Sequence, residues 1–178
     1  LIPYSNIDRP VFWGRDAEIR HFYQSATAST APQILIIYGA RGVGKTSFLQ
    51  AGLLPYLELD HKVIHWQCAV DKAMPPIPQN HAKQPIFLIL DAPSPTSLTQ
   101  VTTHLYKSLS VEPNLKILLL LPTDEVESWE EAFHQLQLFF KAFYLPPLGL
   151  KAIQQIIKGG TKNQITGRTV LLRPALFN

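Results

Sequence analysis

The residues of this 178-residue chain that can do chemistry are concentrated in one glycine-rich segment, residues 39–47 (GARGVGKTS), with the spacing G-x-x-x-x-G-K-[ST]. This is the spacing of a phosphate-binding P-loop. Its glycines allow a tight turn whose backbone N–H groups form an anion-binding nest. Lys45 can bridge the β- and γ-phosphates of a nucleotide, and the Thr46 hydroxyl can ligate Mg²⁺. The alternative is a β–α turn that binds nothing. We predict a nucleotide-binding set of Gly39, Ala40, Arg41, Gly42, Val43, Gly44, Lys45, Thr46 and Ser47.

Two elements must position this loop. The apolar run at 34–38 has the length and β-branched content of a buried parallel strand. A helix is expected from about residue 45 to residue 54, where Pro55 stops it. The N-terminus of that helix adds partial positive charge at the place where phosphates would sit.

Helices and strands continue to alternate along the rest of the chain. Strands that are apolar throughout and alternate with helices predict a parallel sheet covered on both faces. The expected fold class is therefore α/β, a P-loop NTPase with a mostly parallel five-stranded sheet between helices. Ligands of such sheets bind at the carboxyl ends of the strands. The other expected elements are helices at 16–28, 97–110, 128–141 and from 148, strands at 62–68, 85–91, 115–121 and 143–145, and a proline-rich loop within 72–84.

A second chemical feature is the apolar strand that ends in Asp91, which has the Walker B pattern. In P-loop enzymes this aspartate holds Mg²⁺ opposite the P-loop hydroxyl, so Thr46 and Asp91 are the predicted metal residues, and Lys45 and Asp91 the predicted catalytic residues. Hydrolysis also needs a group that orients or deprotonates water. No glutamate occurs between Glu58 and Glu112, which predicts slow or impaired hydrolysis.

Other polar residues of the sequence are candidates for a role near the nucleotide. Thr123 or Asp124, after the fourth strand, senses the γ-phosphate, or else Thr123 caps the next helix and Asp124 starts it. Arg41 either contacts phosphates or is a solvated loop arginine. The TKNQ sequence at 161–164 has Gln164 where a guanine-reading motif has an acid, so it is assigned to a loop.

Composition excludes several classes of protein. The net charge of +3 is spread without a basic block, so the signal for nucleic-acid binding is weak. The longest apolar run, 117–121, is too short to cross a membrane, and no signal peptide is visible. The single cysteine, Cys68, and the scattered histidines suggest neither a disulfide nor a zinc site. We expect a cytoplasmic protein, and a leucine at position 1 predicts a piece excised from a longer chain.

Two segments beside the P-loop carry a family resemblance. Residues 10–16 (PVFWGRD) resemble the hydrophobic-hydrophobic-Gly-Arg-Glu motif of STAND NTPases, which are signal-transduction ATPases related to the AAA proteins. Residues 48–55 (FLQAGLLP) are similar to the A-G-L-L-P signature of the bacterial novel STAND group. A third segment, 144–153, resembles the family's stretch after the last strand. The resemblance extends from about residue 10 to residue 157.

The resemblance implies a nucleotide-gated switch, in which ADP holds a closed form and exchange for ATP permits oligomerisation. It implies that Val11, Phe12 and Arg15 lie near the adenine and ribose, and that Thr46 and Asp91 hold Mg²⁺. The sequence departs from the family at three places. Asp16 replaces the usual glutamate, the acidic D-x-x-E-E after the Walker B strand is absent, and Pro122 occupies the place of a sensor arginine.

The expected organisation is a lead-in at 1–15, an NTPase core at 16–147 and the truncated start of a helical lid at 148–178. The leading hypothesis is an ATP/ADP switch that works with protein partners or its own copies through flanking domains. One alternative is an ATPase that needs a catalytic group from a partner or oligomer. The other is a degenerate interaction module that uses the aromatic segment 129–143, unless that segment is a core-facing amphipathic helix.

Overall fold

The structure, a computed structural model, describes residues 14–67, 85–91, 98–150 and 152–154. Alternating helices and strands fill these ranges, as the sequence predicts. The strands are β1 (Ile34–Gly39), β2 (Lys62–Gln67), β3 (Ile86–Asp91), β4 (Leu115–Pro122) and β5 (Phe140–Tyr144). The helices are α1 (Asp16–Thr27), α2 (Lys45–Ser47), α3 (Leu54–Asp60), α4 (Leu98–Val111) and α5 (Val126–Gln135), with a π-helical turn at Phe48–Leu53 and a 3₁₀ turn at Thr123–Glu125.

All strands of the described residues pair in parallel, in the order β2-β3-β4-β1-β5. The α/β fold with a parallel five-stranded sheet is therefore confirmed. Strand β4 lies between β1 and β3, with Gly39 opposite Pro122 and Asp91 opposite Leu120. Since neighbouring strands lie about 4.8 Å apart, Asp91 ends roughly 10 Å from the P-loop strand, on the same edge of the sheet.

Each face of the sheet buries its own apolar cluster, as the fully apolar strands require. Alternate residues of β1 show the division, with Leu35 in one cluster and Ile36 in the other. The first cluster packs under α1 and the helix that follows the P-loop, and the second packs under α4 and α5. The P-loop is thus anchored between a strand buried on both faces and a helix in the core.

The prediction that Pro55 stops the P-loop helix is wrong. The helix runs on to Asp60 through the π-helical turn Phe48–Leu53, and Pro55 lies in the first turn of α3. A proline in a regular α-helix loses one hydrogen bond and clashes with the carbonyl four residues earlier. Here the π-helical turn, with its i→i+5 hydrogen bonds, ends just before Pro55, which lies in the first turn of α3, where a missing N–H is tolerated.

The boundary between the last helix and strand of the sheet also differs from the expectation of a helix at 128–141 and a strand at 143–145. Helix α5 ends at Gln135, and Gln137 has a positive φ of 55° that turns the chain back. Phe140 then opens β5, packing against Phe133 with ring centroids 5.8 Å apart. Aromatic residues at helical spacing therefore came from two elements that share one core.

Several expectations fall outside the described residues. These are the roles of Val11 and Phe12, the strand end at Cys68, the loop within 72–84 and the TKNQ segment at 161–164. Of the helix expected from residue 148, Leu150 and residues 152–154 are described as helical. None of the helices in the described ranges has the length and apolarity that a membrane span requires.

The aromatic face of α5 points into the core. Trp129 and Phe133 are fully buried in the cluster beneath α4 and α5. This agrees with the alternative in which the aromatic segment is a core-facing amphipathic helix. Phe139, just past the helix, is by contrast 87% exposed.

This difference predicts the effect of truncating each side chain. Trp129→Ala should lower the free energy of unfolding by about 3–5 kcal/mol, because it leaves a large cavity in the core. Phe139→Ala is the matched control and should change it by less than about 0.5 kcal/mol. Urea denaturation measures both values. Equal, small losses would contradict the burial of α5.

Candidate nucleotide-binding site

The P-loop leaves β1 through a close contact and then opens outward. A Cβ atom at Gly39 would lie 2.5 Å from the carbonyl oxygen of Leu145, so no larger residue fits there. Gly42 and Gly44 have φ values of 80° and 95°, a left-handed conformation that favours glycine. A Cβ at either of these two positions would meet nothing within 4 Å. The loop is therefore packed at its base and open around its two central glycines.

Lys45 is folded back over the P-loop. Its Nζ donates hydrogen bonds to the carbonyl oxygens of Gly39 at 2.8 Å and Ala40 at 3.0 Å. Partial burial lowers the pKa of Lys45, and the charge of Arg41 lowers it further, while Asp91 and the acids after β4 oppose this. An ammonium group that has lost part of its hydration in this way gains from an incoming anion.

Asp91, the last residue of β3, accepts a hydrogen bond from the Thr46 hydroxyl. Burial raises the pKa of Asp91, whereas His65, the bond from Thr46 and Lys45 lower it. The two residues that the sequence predicts for the metal thus lie close together, although β4 separates β3, which ends in Asp91, from β1, which leads into the P-loop. A cation placed between them would favour the ionised carboxylate.

The donor set around this pair suits Mg²⁺ with a nucleotide. In the described part of the chain, no three His, Cys, Asp or Glu side chains come together as a metal cluster. Magnesium uses one or two protein oxygens and takes its remaining ligands from phosphates and water. Thr46 and Asp91 offer those oxygens, so the residues present fit the ion.

Arg41 crosses from the P-loop to the turn after β4. Its Nη2 lies 2.8 Å from Glu125 Oε1 and 3.3 Å from Asp124 Oδ2. The alternative in which Thr123 caps the next helix is wrong, because the N-cap positions of the 3₁₀ turn and of α5 are Pro122 and Glu125, neither with a side-chain cap bond. Asp124 does lie in the 3₁₀ turn that leads into α5. It also faces the P-loop arginine.

Arg15 connects three segments from a buried position, with only 3% of the residue exposed. It donates to Glu18 of α1 at 3.1 Å, to the carbonyl oxygen of Val43 at 3.4 Å and to that of Pro146 at 2.7 Å. The neighbouring Gly14 has a φ of 85°, and a Cβ there would lie 2.9 Å from Cβ of Ala152. The Gly-Arg motif therefore holds the P-loop against the chain that follows β5.

The structure brings most of the predicted site residues to one edge of the sheet. Residues 39–47, Asp91 and Arg15 lie together there, while Val11 and Phe12 lie outside the described residues. Sequence reasoning missed Glu125, His65 and Pro146, which were found only as partners of predicted residues. Glu125 had one available signal, since it follows Asp124 in an acidic pair that begins two residues after the end of β4.

Comparisons with known proteins agree with this architecture. The model of the family Novel STAND NTPase 1 matches residues 1–159. No curated protein matches the chain. A similar solved structure is a chain from the crystal structure of Rif2 in complex with the C-terminal domain of Rap1, with a TM-score of 0.53 and 12% sequence identity. The match covers 90% of this chain and 63% of that chain, and at this identity it supports the fold alone.

The three contacts of Arg15 predict a structural effect. Arg15→Ala should lower the free energy of unfolding by about 2–4 kcal/mol, because Glu18 and two carbonyl groups lose a buried donor. Arg15→Lys should recover only part of this, since an ammonium group lacks the planar fork of donors. Arg20→Ala, at an exposed position of α1, is the control. Chemical denaturation giving equal values for Arg15→Ala and Arg20→Ala would contradict the assignment.

Proposed function

The chain belongs to the Novel STAND NTPase 1 family, and from that premise we propose that it is an ATP/ADP-dependent switch with slow or impaired hydrolysis. Nucleotide binding follows from membership of an NTPase family. The observation that carries the proposal is the meeting of Lys45, Thr46 and Asp91 beside an open P-loop. A part-buried lysine, a hydroxyl and a carboxylate at that position are the groups that a Mg²⁺-nucleotide requires.

We assign phosphate binding to the P-loop, residues 39–47. Two of the N–H groups of Lys45 are directed at the carbonyl oxygens of Gly39 and Ala40. Since an ammonium group has three donors, the third can reach a phosphate oxygen without the loop losing its own bonds. The backbone around Gly42 and Gly44 is open enough for phosphates to approach closely. The P-loop therefore needs little rearrangement to bind.

We assign the metal to Thr46 and Asp91. Mg²⁺ would neutralise part of the phosphate charge when it is bound with the nucleotide. The Thr46 hydroxyl lowers the pKa of Asp91 through a hydrogen bond, so the two oxygens lie close together before a ligand arrives. We assign the adenine and ribose to Val11, Phe12 and Arg15, as the family resemblance implies. Arg15 also donates a hydrogen bond to the carbonyl oxygen of Val43 in the P-loop.

Slow hydrolysis is expected because the sequence lacks an acid beside Asp91. The residues directly after Asp91 include no glutamate that could orient water, and the next glutamate along the chain is Glu112. Output would then depend on which nucleotide is held. We place that output in protein partners or further copies of the chain, acting in the cytoplasm through flanking domains.

Lys45 supplies the direct test. Isothermal titration should give micromolar or tighter binding of ADP and ATP to the wild-type chain. Lys45→Ala should remove measurable binding, because Lys45 is the partly buried cation of the P-loop and the phosphates would lose its charge. Lys107→Ala, on the exposed side of α4, should bind as the wild type does. A folded wild-type chain that binds no nucleotide would overturn the proposal.

A second candidate is an ATPase that works only with a group from a partner or another copy. Glu125 favours it, because this carboxylate lies beside the P-loop and influences Lys45. An arginine supplied by a neighbouring subunit can raise the rate of phosphoryl transfer strongly.

Phosphate release measured across protein concentrations distinguishes the two candidates. An ATPase of this kind should show turnover that rises with self-association and disappears in Asp91→Ala, which removes a proposed metal residue. The switch should show little turnover at every concentration. Turnover that survives Asp91→Ala would contradict the ATPase.

A further inference from the structure

We propose that Arg41 is a latch that reads the third phosphate of the nucleotide, exchanging its ion pairs with Asp124 and Glu125 for the γ-phosphate. The inference rests on the nucleotide binding proposed above and adds to it a means of distinguishing ATP from ADP. It is based on the ion pairs of Arg41 with Asp124 and Glu125, which connect the P-loop to the turn before α5.

The latch spans a short distance set by the sheet. Gly39, at the base of the P-loop, lies directly opposite Pro122 in the paired strands β1 and β4. The turn Thr123–Glu125 follows at once, so its acids stand beside the P-loop although they are more than 80 residues away in sequence. Lys45 senses the same charges, since Arg41, Asp124 and Glu125 all influence its pKa.

The pairs of Arg41 are of the kind that a phosphate can displace. The side chain of Arg41 is 69% exposed and that of Asp124 is 67% exposed, so water screens their attraction. A γ-phosphate in the P-loop would offer a guanidinium two charge-assisted hydrogen bonds with matching geometry. The exposed arginine can reorient without disturbing the core.

Displacement would leave two carboxylates beside a phosphate. Glu125 is the less hydrated of the two, because only 16% of its side chain is exposed. Like charges at this distance repel, so the turn Thr123–Glu125 would move away from the P-loop. Trp129, fully buried one turn further along α5, holds the remainder of the helix in place. The change would therefore be confined to the turn and the first residues of α5.

ADP would leave the latch closed, because it places no charge at the γ position. Arg41 would then keep neutralising Asp124 and Glu125. If the ion pairs serve only to join the P-loop to the turn, ATP and ADP will respond alike to their removal. The ratio of the two affinities therefore separates a phosphate-reading role from a structural one.

Titration calorimetry with Mg²⁺ and either ADP or a non-hydrolysable ATP analogue tests the latch. Arg41→Ala should weaken binding of the analogue by about three- to tenfold and leave ADP binding unchanged, because one exposed charge-assisted contact is lost. The double variant Asp124→Asn with Glu125→Gln should instead strengthen binding of the analogue, since two repelling charges are removed. Arg20→Ala and Glu131→Gln, exposed on α1 and α5, are the matched controls and should bind as the wild type does.

Hydrogen exchange provides a second readout. The analogue, but not ADP, should speed amide exchange in the turn after β4 of the wild-type chain, and this difference should vanish in Arg41→Ala. Equal changes in ADP and analogue affinity, or exchange that does not depend on Arg41, would overturn the latch and leave nucleotide binding intact. A folded wild-type chain that binds neither ligand would overturn the proposed function itself.

Discussion

The register of β1 between β4 and β5 is the constraint from which the geometry of the site follows. It places Gly39 opposite Pro122 on one side, and on the other Leu145, just beyond β5, donates its N–H to the carbonyl oxygen of Tyr38 at 2.7 Å. The P-loop must therefore leave the sheet under the carbonyl of Leu145, with the turn after β4 beside it. A shift of one residue would exchange the faces of β1 and bury the wrong side chains. The register of β1 thus determines both which side chains are buried and where the charged residues of the P-loop and of the turn after β4 lie.

Partial burial then gives these charges their chemical character. Lys45 and Asp91 are partly buried. Burial lowers the pKa of Lys45 and raises that of Asp91, and both shifts favour the neutral form of the side chain. Arg41 and Asp124 stay in solvent, where their attraction is easily replaced. The site therefore has an inner, partly buried pair, Lys45 and Asp91, that a charged ligand would stabilise. Its outer pair, Arg41 and Asp124, is exposed, and a ligand could replace one of its partners. This division suits recognition of a nucleotide better than rapid turnover.

Much of this could be predicted from sequence because its signals are local. Buried strands are short apolar runs, and the P-loop is a single segment whose glycines, lysine and hydroxyl are fixed by spacing. The ion pair of Arg41 with Glu125 could not be predicted, because the partners come from distant segments joined by strand pairing. Arg15 shows a different limit. Two of its acceptors are backbone carbonyl groups, which every residue has, so no residue type marks them. The predicted helix end at Pro55 was wrong for a third reason. The helix changes its hydrogen-bonding period before the proline, and rules for proline in a regular α-helix do not include such a change.

The π-helical turn Phe48–Leu53 has a consequence for comparing this chain with others. Hydrogen bonds that span five residues instead of four insert about one extra residue into the turn. Everything after it is rotated by about 100° relative to a regular helix. A homologous protein with an uninterrupted helix would therefore need a one-residue gap between Thr46 and Pro55 to align correctly. Without that gap, the buried positions of α3 would be matched with exposed ones, and a true relationship would look weaker than it is.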